Sequence, residues 1–177
     1  MNAPDPPLGD DAIVLRSWLP DDAAEIARCC NDELVSHFIP FLPSPYTLAD
    51  AEAFIERTVS ETEVNLAITD RTTGAVMGAV GISLKAFDEE IAEIGYWLAP
   101  EARGRGAATS ALVLLSRWTL EEVPIARLQL TADVANLRSQ AVAERAGFVR
   151  EAIMRNGFPG RDGHRDCVVF SLLPDEL

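Results

Sequence analysis

The order of strand-like and helix-like segments predicts a single α/β domain, with a mixed central sheet of about six to seven strands flanked by about four helices. Three observations carry this. Two strand patterns meet at the polar turn Asp70-Arg71-Thr72-Thr73-Gly74, a hairpin signature. A further strand pattern, Ile91 to Leu98, runs through a small-residue turn into the longest amphipathic helix pattern of the chain. Finally, 177 residues with 48% hydrophobic and 24% charged side chains suffice for one domain with a substantial core.

Taken in order, Met1 to Asp10 is Pro-rich and acidic and reads as a flexible tail, leaving 11–177 as the domain. Ala12 to Trp18 is a strand. Pro20-Asp21-Asp22 opens a helix, with Pro early and acids in the first turn, that carries Ala23, Ile26, Ala27 and Cys30 inward. Pro40, Pro43 and Pro45 make Ile39 to Tyr46 a loop, and Thr47-Leu48-Ala49-Asp50 resembles a capping box for a helix through about Ser60. Val64 to Thr69 and Ala75 to Phe87 are the hairpin strands, and Ile91 to Leu98 is the fourth strand. Arg105 to Glu122 is a helix ended by Pro124, Ile125 to Ala132 the fifth strand, and Asn136 caps a helix reaching Ala146 that Gly147 closes. Phe148 to Asn156 and Cys167 to Leu172 are strands flanking a turn-rich Gly157 to Gly163, where Arg161-Asp162 and Arg165-Asp166 read as a solvated hairpin with local ion pairs.

No apolar run approaches the roughly 20 residues of a membrane span, and the N-terminus lacks the basic start and apolar middle of a secretory signal. Three cysteines, two of them adjacent, suit reduced thiols in a cytoplasm better than a disulfide framework. Of the net charge of −13, nearly all lies in residues 1–90, with 5 basic and 17 acidic side chains. Such a field disfavours nucleic acid and attracts a cationic small molecule or basic peptide, or it simply confers solubility.

Pro100 to Ala108, Pro-Glu-Ala-Arg-Gly-Arg-Gly-Ala-Ala, joins the fourth strand to the long helix. Such a turn aims backbone N–H groups and a helix N-terminus at one point, which makes it an anion cradle. A nucleoside triphosphate loop needs Lys and Ser or Thr where Ala107-Ala108 stand, and a dinucleotide fingerprint needs a small residue where Thr109 stands. What remains is Arg-x-x-Gly-x-Gly/Ala, filled by Arg103, Gly106 and Ala108. Behind a Glu-bearing strand, this motif resembles that of the GNAT acetyltransferase superfamily. Glu93-Ile94-Gly95-Tyr96-Trp97-Leu98, Asn136-x-x-Ser139, Gly147-Phe148 and Asp166 to Leu173 are similar in type and order to its RimJ/RimL-like branch.

The resemblance implies a GNAT-like sheet splayed at its fourth and fifth strands and acetyl-CoA as cosubstrate, with no metal. Backbone groups of Arg103, Gly104, Arg105, Gly106, Ala107, Ala108 and Thr109 would bind the pyrophosphate, aided by the charges of Arg103 and Arg105. Tyr96, Trp97 and Leu98 would pair with the pantetheine arm through their backbone, and Asn136 would hold that arm from the other side or serve as a plain helix cap. Glu93 is the candidate general base for an amine arriving as ammonium, or else a structural charge paired with a neighbouring Arg. The family's Tyr four residues before Gly-Phe is Ala143 here, which leaves Ser139 as a hydrogen-bond donor to the leaving sulfur, or as a residue that tidies the Asn136 cap.

Phe38, Phe41 and Tyr46 would line an acceptor pocket or anchor the core, and His37 and His164 have no second ligand at metal spacing. The expected activity is transfer of an acetyl group from acetyl-CoA directly to a primary amine, either a protein N-terminus or a cationic small molecule. The alternative is a non-catalytic CoA-binding sensor or interaction module. Unpaired edges at the late hairpin leave a homodimer open.

Overall fold

The computed structural model describes residues 1–85 and 88–176. Ala86 and Phe87, the end of the expected third strand, lie outside them. Eight described strands form one sheet: β1 (Leu8–Gly9), β2 (Ile13–Arg16), β3 (Glu63–Asp70), β4 (Val76–Lys85), β5 (Asp88–Leu98), β6 (Arg127–Asp133), β7 (Val149–Gly160) and β8 (Gly163–Leu172). Their order across the sheet is β1-β2-β3-β4-β5-β6-β8-β7, antiparallel except for β5 beside β6. The described helices are α1 (Ala23–Cys30), α2 (Glu33–Phe38), α3 (Leu48–Ile55), α4 (Ala107–Glu122) and α5 (Leu137–Arg145), so the α/β class holds with one more strand and one more helix than expected.

The extra strand is β1, in the segment read as a tail. Leu8 and Gly9 pair with Leu15 and Val14, and the Met1 ammonium donates to the carbonyls of Ser60 and Glu61 at 2.7 Å. The apolar side chains of Met1, Ala3 and Leu8 pack on the core, which gives this Pro-rich stretch something to bind. The extra helix is α2, started by Asp32, whose carboxylate accepts from the N–H groups of Leu34 and Val35 at 3.1 Å. The α3 helix has its expected Thr47–Asp50 capping box but ends at Ile55 rather than near Ser60. Thr58 turns its hydroxyl back to the Ile55 carbonyl at 2.9 Å, and its own carbonyl takes the Asn65 N–H at 2.7 Å, so the chain leaves the helix to join the sheet.

Helices cover both faces. Leu66 and Ile68 of β3 lie in one apolar cluster with Ala111, Leu112 and Leu115 of α4, while Ala67 between them belongs to a second with Ala23, Ile26 and Ala51 of α1 and α3. That double coverage explains the unbroken apolar run from Leu66 to Ile68.

Two features position the site. The parallel ladder between β5 and β6 extends only over Ile91–Arg127, Ala92–Leu128 and Glu93–Gln129. Beyond Glu93 the strands part, β5 staying with β4 to Leu98 and β6 with β8, which opens the expected splay and leaves one edge of Ile94 to Leu98 without a strand partner. The late hairpin is longer than expected, with Phe158, Pro159 and Gly160 pairing with Arg165, His164 and Gly163 around the turn Arg161-Asp162. Its turn, Arg161 to His164, is solvent-exposed as expected, but its arginines do not make local ion pairs. Arg161 donates to the carbonyls of Ser36 and Leu42, and Arg165 reaches His37 Nε2 at 3.1 Å and the buried Asp133 carboxylate at 3.3 Å, so the tip is docked on α2 and the loop that follows.

Candidate active site

The cradle begins where β5 ends. Pro100–Ala102 makes a single 3-10 turn, and Gly104 and Gly106 follow with φ of +74° and +83°. In this left-handed region a side chain is strained, and an added Cβ at either position would meet open space. Gly106 is the N-cap of α4, so the N–H groups of Ala107, Ala108 and Thr109 have no acceptor within the helix and point out of its positive end. An anion that approaches closely, such as a pyrophosphate, fits this arrangement.

Arg103 differs from expectation. Its guanidinium is ion-paired with the Asp32 carboxylate and donates to the Leu98 carbonyl at 3.1 Å, so it braces the cradle against the start of α2. Asp32 sits below the usual carboxylate range: its burial would raise it, and the Arg103 guanidinium with the Val35 and Leu34 N–H groups outweighs that. Free positive charge comes instead from Arg138 and Arg145, seven residues apart on α5, which line the cradle's cavity without a carboxylate partner among the described residues. The sequence reading missed both, although that spacing places them on one helical face.

This cavity, of about 1200 Å³, is bounded by Leu98, Arg103, Gly104, Gly106, Ala108, Thr109 and α5. A second, of about 770 Å³, lies over the polar face of the sheet and holds Glu93. Phe38, Tyr96, Trp97, Asn136 and Ser139 line both, so the two meet at the splay. Asn136 caps α5, its side-chain oxygen accepting from the Ser139 N–H at 3.1 Å, and it stands at the junction as well. Trp97 is stacked on Trp18 with centroids 6.4 Å apart.

Glu93 is the last paired residue before the strands part, facing Ser83 on β4 and Gln129 on β6. Its carboxylate is ion-paired with Lys85, and a third of its side chain is exposed. The partner is a lysine two registers along β4, where the sequence reading had considered an arginine. The roof of this cavity is Phe38 to Pro43 on one side and Gly157 to Pro159 on the other. Phe41 is exposed, whereas Tyr46 is buried in the core with its hydroxyl on the Asp50 carbonyl at 3.3 Å.

A strand carrying a carboxylate into a splay, followed by an amide cradle at a helix N-terminus, matches a known architecture, and residues 12–149 fit the acetyltransferase (GNAT) domain family model. The chain belongs to the GNAT acetyltransferase family. Among its relatives is the Bacillus subtilis protein named "Putative ribosomal N-acetyltransferase YdaF", 30% identical with 94% of each chain covered. The ribosomal L7/L12 alpha-N-protein acetyltransferase RimL, solved with coenzyme A, shares the fold with a TM-score of 0.82 at 16% identity over 95% of this chain and 97% of its own. So does Vibrio cholerae spermidine N-acetyltransferase, solved with CoA and spermine, with a TM-score of 0.79 at 18% identity over 94% and 98%.

This GNAT chain is thus an acetyl-CoA-dependent N-acetyltransferase with an amine acceptor. Among the described residues no three His, Cys, Asp or Glu side chains group as a metal site, and no helix is long and apolar enough to cross a membrane.

Proposed function

We propose that the chain acetylates a protein N-terminal amine, with the acceptor in the Glu93 cavity and acetyl-CoA entering from the cradle side. The observation that carries this is the meeting of the two cavities at the splay, with Glu93 at its apex. The pyrophosphate lies on the amides of Gly104 to Thr109, and the pantetheine arm takes the unpaired edge of β5 near Tyr96 to Leu98 as an added strand would. Glu93, released from Lys85 by the incoming ammonium, accepts its proton directly or through water, and the free amine attacks the thioester. Ser139 donates to the departing sulfur. The likeness to YdaF and RimL supports an N-terminal amine.

A cationic small molecule is favoured by one specific feature: Asp50, Glu63, Glu93 and Asp133 line the acceptor cavity against Arg57 and Lys85 only. Incubation with acetyl-CoA and, separately, a library of N-terminal peptides and a polyamine panel, read by mass spectrometry, decides between them. Acetylated peptide termini support the first reading. Acetylated polyamines alone replace it, and thiol release from neither supports a non-catalytic CoA-binding module.

The chain is proposed to work in the cytoplasm, where its three unpaired cysteines stay reduced, and its acidic balance argues against nucleic acid as partner. A homodimer through β7 is supported by its place at the sheet edge and by the exposed Val149 and Ile153, and sedimentation equilibrium tests it.

A further inference from the structure

Between β5 and α5 lies a hydroxyl contact outside the chemistry above. The Tyr96 phenol donates to Ser139 Oγ across 3.3 Å, a separation that substrate binding has room to shorten. Both side chains line both cavities, so the pair faces the junction where the thioester must sit. Burial raises the phenol above the ordinary tyrosine range, with the Ser139 bond and the Arg145 charge offsetting only part of it, so the hydroxyl is protonated at neutral pH. Ser139 is held from its other end, because its N–H is committed to the Asn136 cap. An oxygen already accepting the phenolic hydrogen turns its own hydrogen elsewhere, and the open direction is the cavity.

Chemistry favours such an arrangement. A serine hydroxyl that protonates a thiolate alone becomes an alkoxide, which is far too basic to form. A phenol, with an ordinary value near 10, is close to a thiol's in acidity. The chain has two tyrosines, and the other, Tyr46, is tied to Asp50 beneath the acceptor cavity. At Ala143 on α5 there is only a methyl group, fully buried.

We propose that Tyr96 is a positioning residue for thiolate release, orienting the Ser139 hydroxyl toward the thioester sulfur and replacing the proton that Ser139 gives up. This rests on the reading of Ser139 as donor. The amine nitrogen forms the C–N bond, and the C–S bond breaks with its electron pair on sulfur. The Ser139 proton passes to sulfur, giving the free thiol, and the Tyr96 proton passes to Ser139 Oγ. Water restores the phenol, leaving hydroxide. The acceptor nitrogen sheds two protons, one from the ammonium before attack and one from the new C–N nitrogen as the tetrahedral adduct collapses; each passes through Glu93 to water, where one meets that hydroxide, so one proton is released for each amide and free thiol formed.

The test uses the folded enzyme with CoA alone and follows the ultraviolet absorbance of the bound thiolate against pH. One hydrogen bond to a thiolate is worth about one pH unit. The bound thiol of the parent titrates below that of free CoA. Tyr96→Phe and Ser139→Ala each move it up by about one unit, and the double variant moves it no further. An unchanged titration in Tyr96→Phe, with CoA still raising its melting temperature, overturns the proposal, as do additive shifts in the double variant. A second probe keeps the packing intact: fluorinated tyrosine incorporated in a Tyr46→Phe background labels Tyr96 alone. It must lower the pH at which the basic limb of spermine or N-terminal-serine peptide acetylation falls, and an unmoved limb is contrary. If Ser139→Ala leaves the bound thiol unchanged, the donor reading of Ser139 falls and takes the relay with it. If the parent binds no CoA, the cosubstrate reading fails instead.

Discussion

Glu93 and Tyr96 stand three residues apart on β5 and therefore project from opposite faces of the sheet, at the point where β5 parts from β6. Glu93 faces the acceptor cavity with Lys85, and Tyr96 faces α5 and Ser139. In the proposed reaction, a thioester threaded through the gap would have a proton acceptor on one side for the incoming amine and hydroxyl donors on the other for the outgoing sulfur. Had the strands stayed paired beyond Glu93, the backbone of Ile94 to Leu98 would be spent on β6 and the gap closed.

The cradle depends on the backbone of Gly106. Its φ of +83° costs an L-residue about 1–2 kcal/mol, although space for a methyl exists. Gly106→Ala should weaken acetyl-CoA binding by about tenfold in calorimetry, while kcat at saturating acetyl-CoA stays near the parent's. A loss confined to kcat would show that the loop does something other than hold phosphate.

Asp32 links α2 to the cradle through Arg103, and its carboxyl is held below its ordinary value of 3.8. A depressed folded-state value adds stability that is present above the unfolded-state value and lost as pH falls through the folded one. Asp32→Asn keeps a capping oxygen but breaks the pair. Urea unfolding should show it about 1–2 kcal/mol less stable at pH 7, with the gap closing below pH 4. A gap constant down to pH 2 would assign the loss to packing.

Burial makes the thiols inert. Cys29 and Cys30 are pushed up to about 12, and burial with the charges of Glu93, Asp166 and Asp133 also raises Cys167. A disulfide reagent at pH 8 should leave all three unmodified in the folded protein and label all three in denaturant. Fast labelling of Cys167 would mean that β7 and β8 open readily.

Arg165 and Arg161 tie the hairpin over the Glu93 cavity, the proposed acceptor site, to α2 and the loop after it. Arg165→Ala leaves Asp133 buried without its cation and should cost roughly 2 kcal/mol, with acceptor KM rising more than kcat falls. Arg161→Ala, at an exposed residue, should cost under about 0.5 kcal/mol yet raise the same KM. Unchanged acceptor KM in both would detach the hairpin from substrate binding.

Local chemistry announced much of this. The cradle, the Asn136 and Thr47 caps, Gly147 at φ +93° and the carboxylate at Glu93 were legible because each is written within a few consecutive residues. What escaped depends on distant partners. Leu8–Gly9 is a strand only because Val14 and Leu15 offer an edge, and Arg103 is held by an ion pair only because α2 brings Asp32 to it. Tyr96 could be placed by its backbone, whereas the meeting of its hydroxyl with Ser139 required α5 to lie across β5. Lys85 was hidden likewise, since register alone puts it beside Glu93.

The most direct test of the central claim is single-turnover acetylation by Glu93→Gln, a change that keeps size and hydrogen bonding but removes the proton acceptor. The expected result is acetyl-CoA affinity within twofold of the parent and a rate of acetyl transfer about 100-fold lower at pH 7, recovering in part as rising pH deprotonates the amine in solution. Transfer at the parent's rate across the pH range would contradict the assignment of Glu93 as the base.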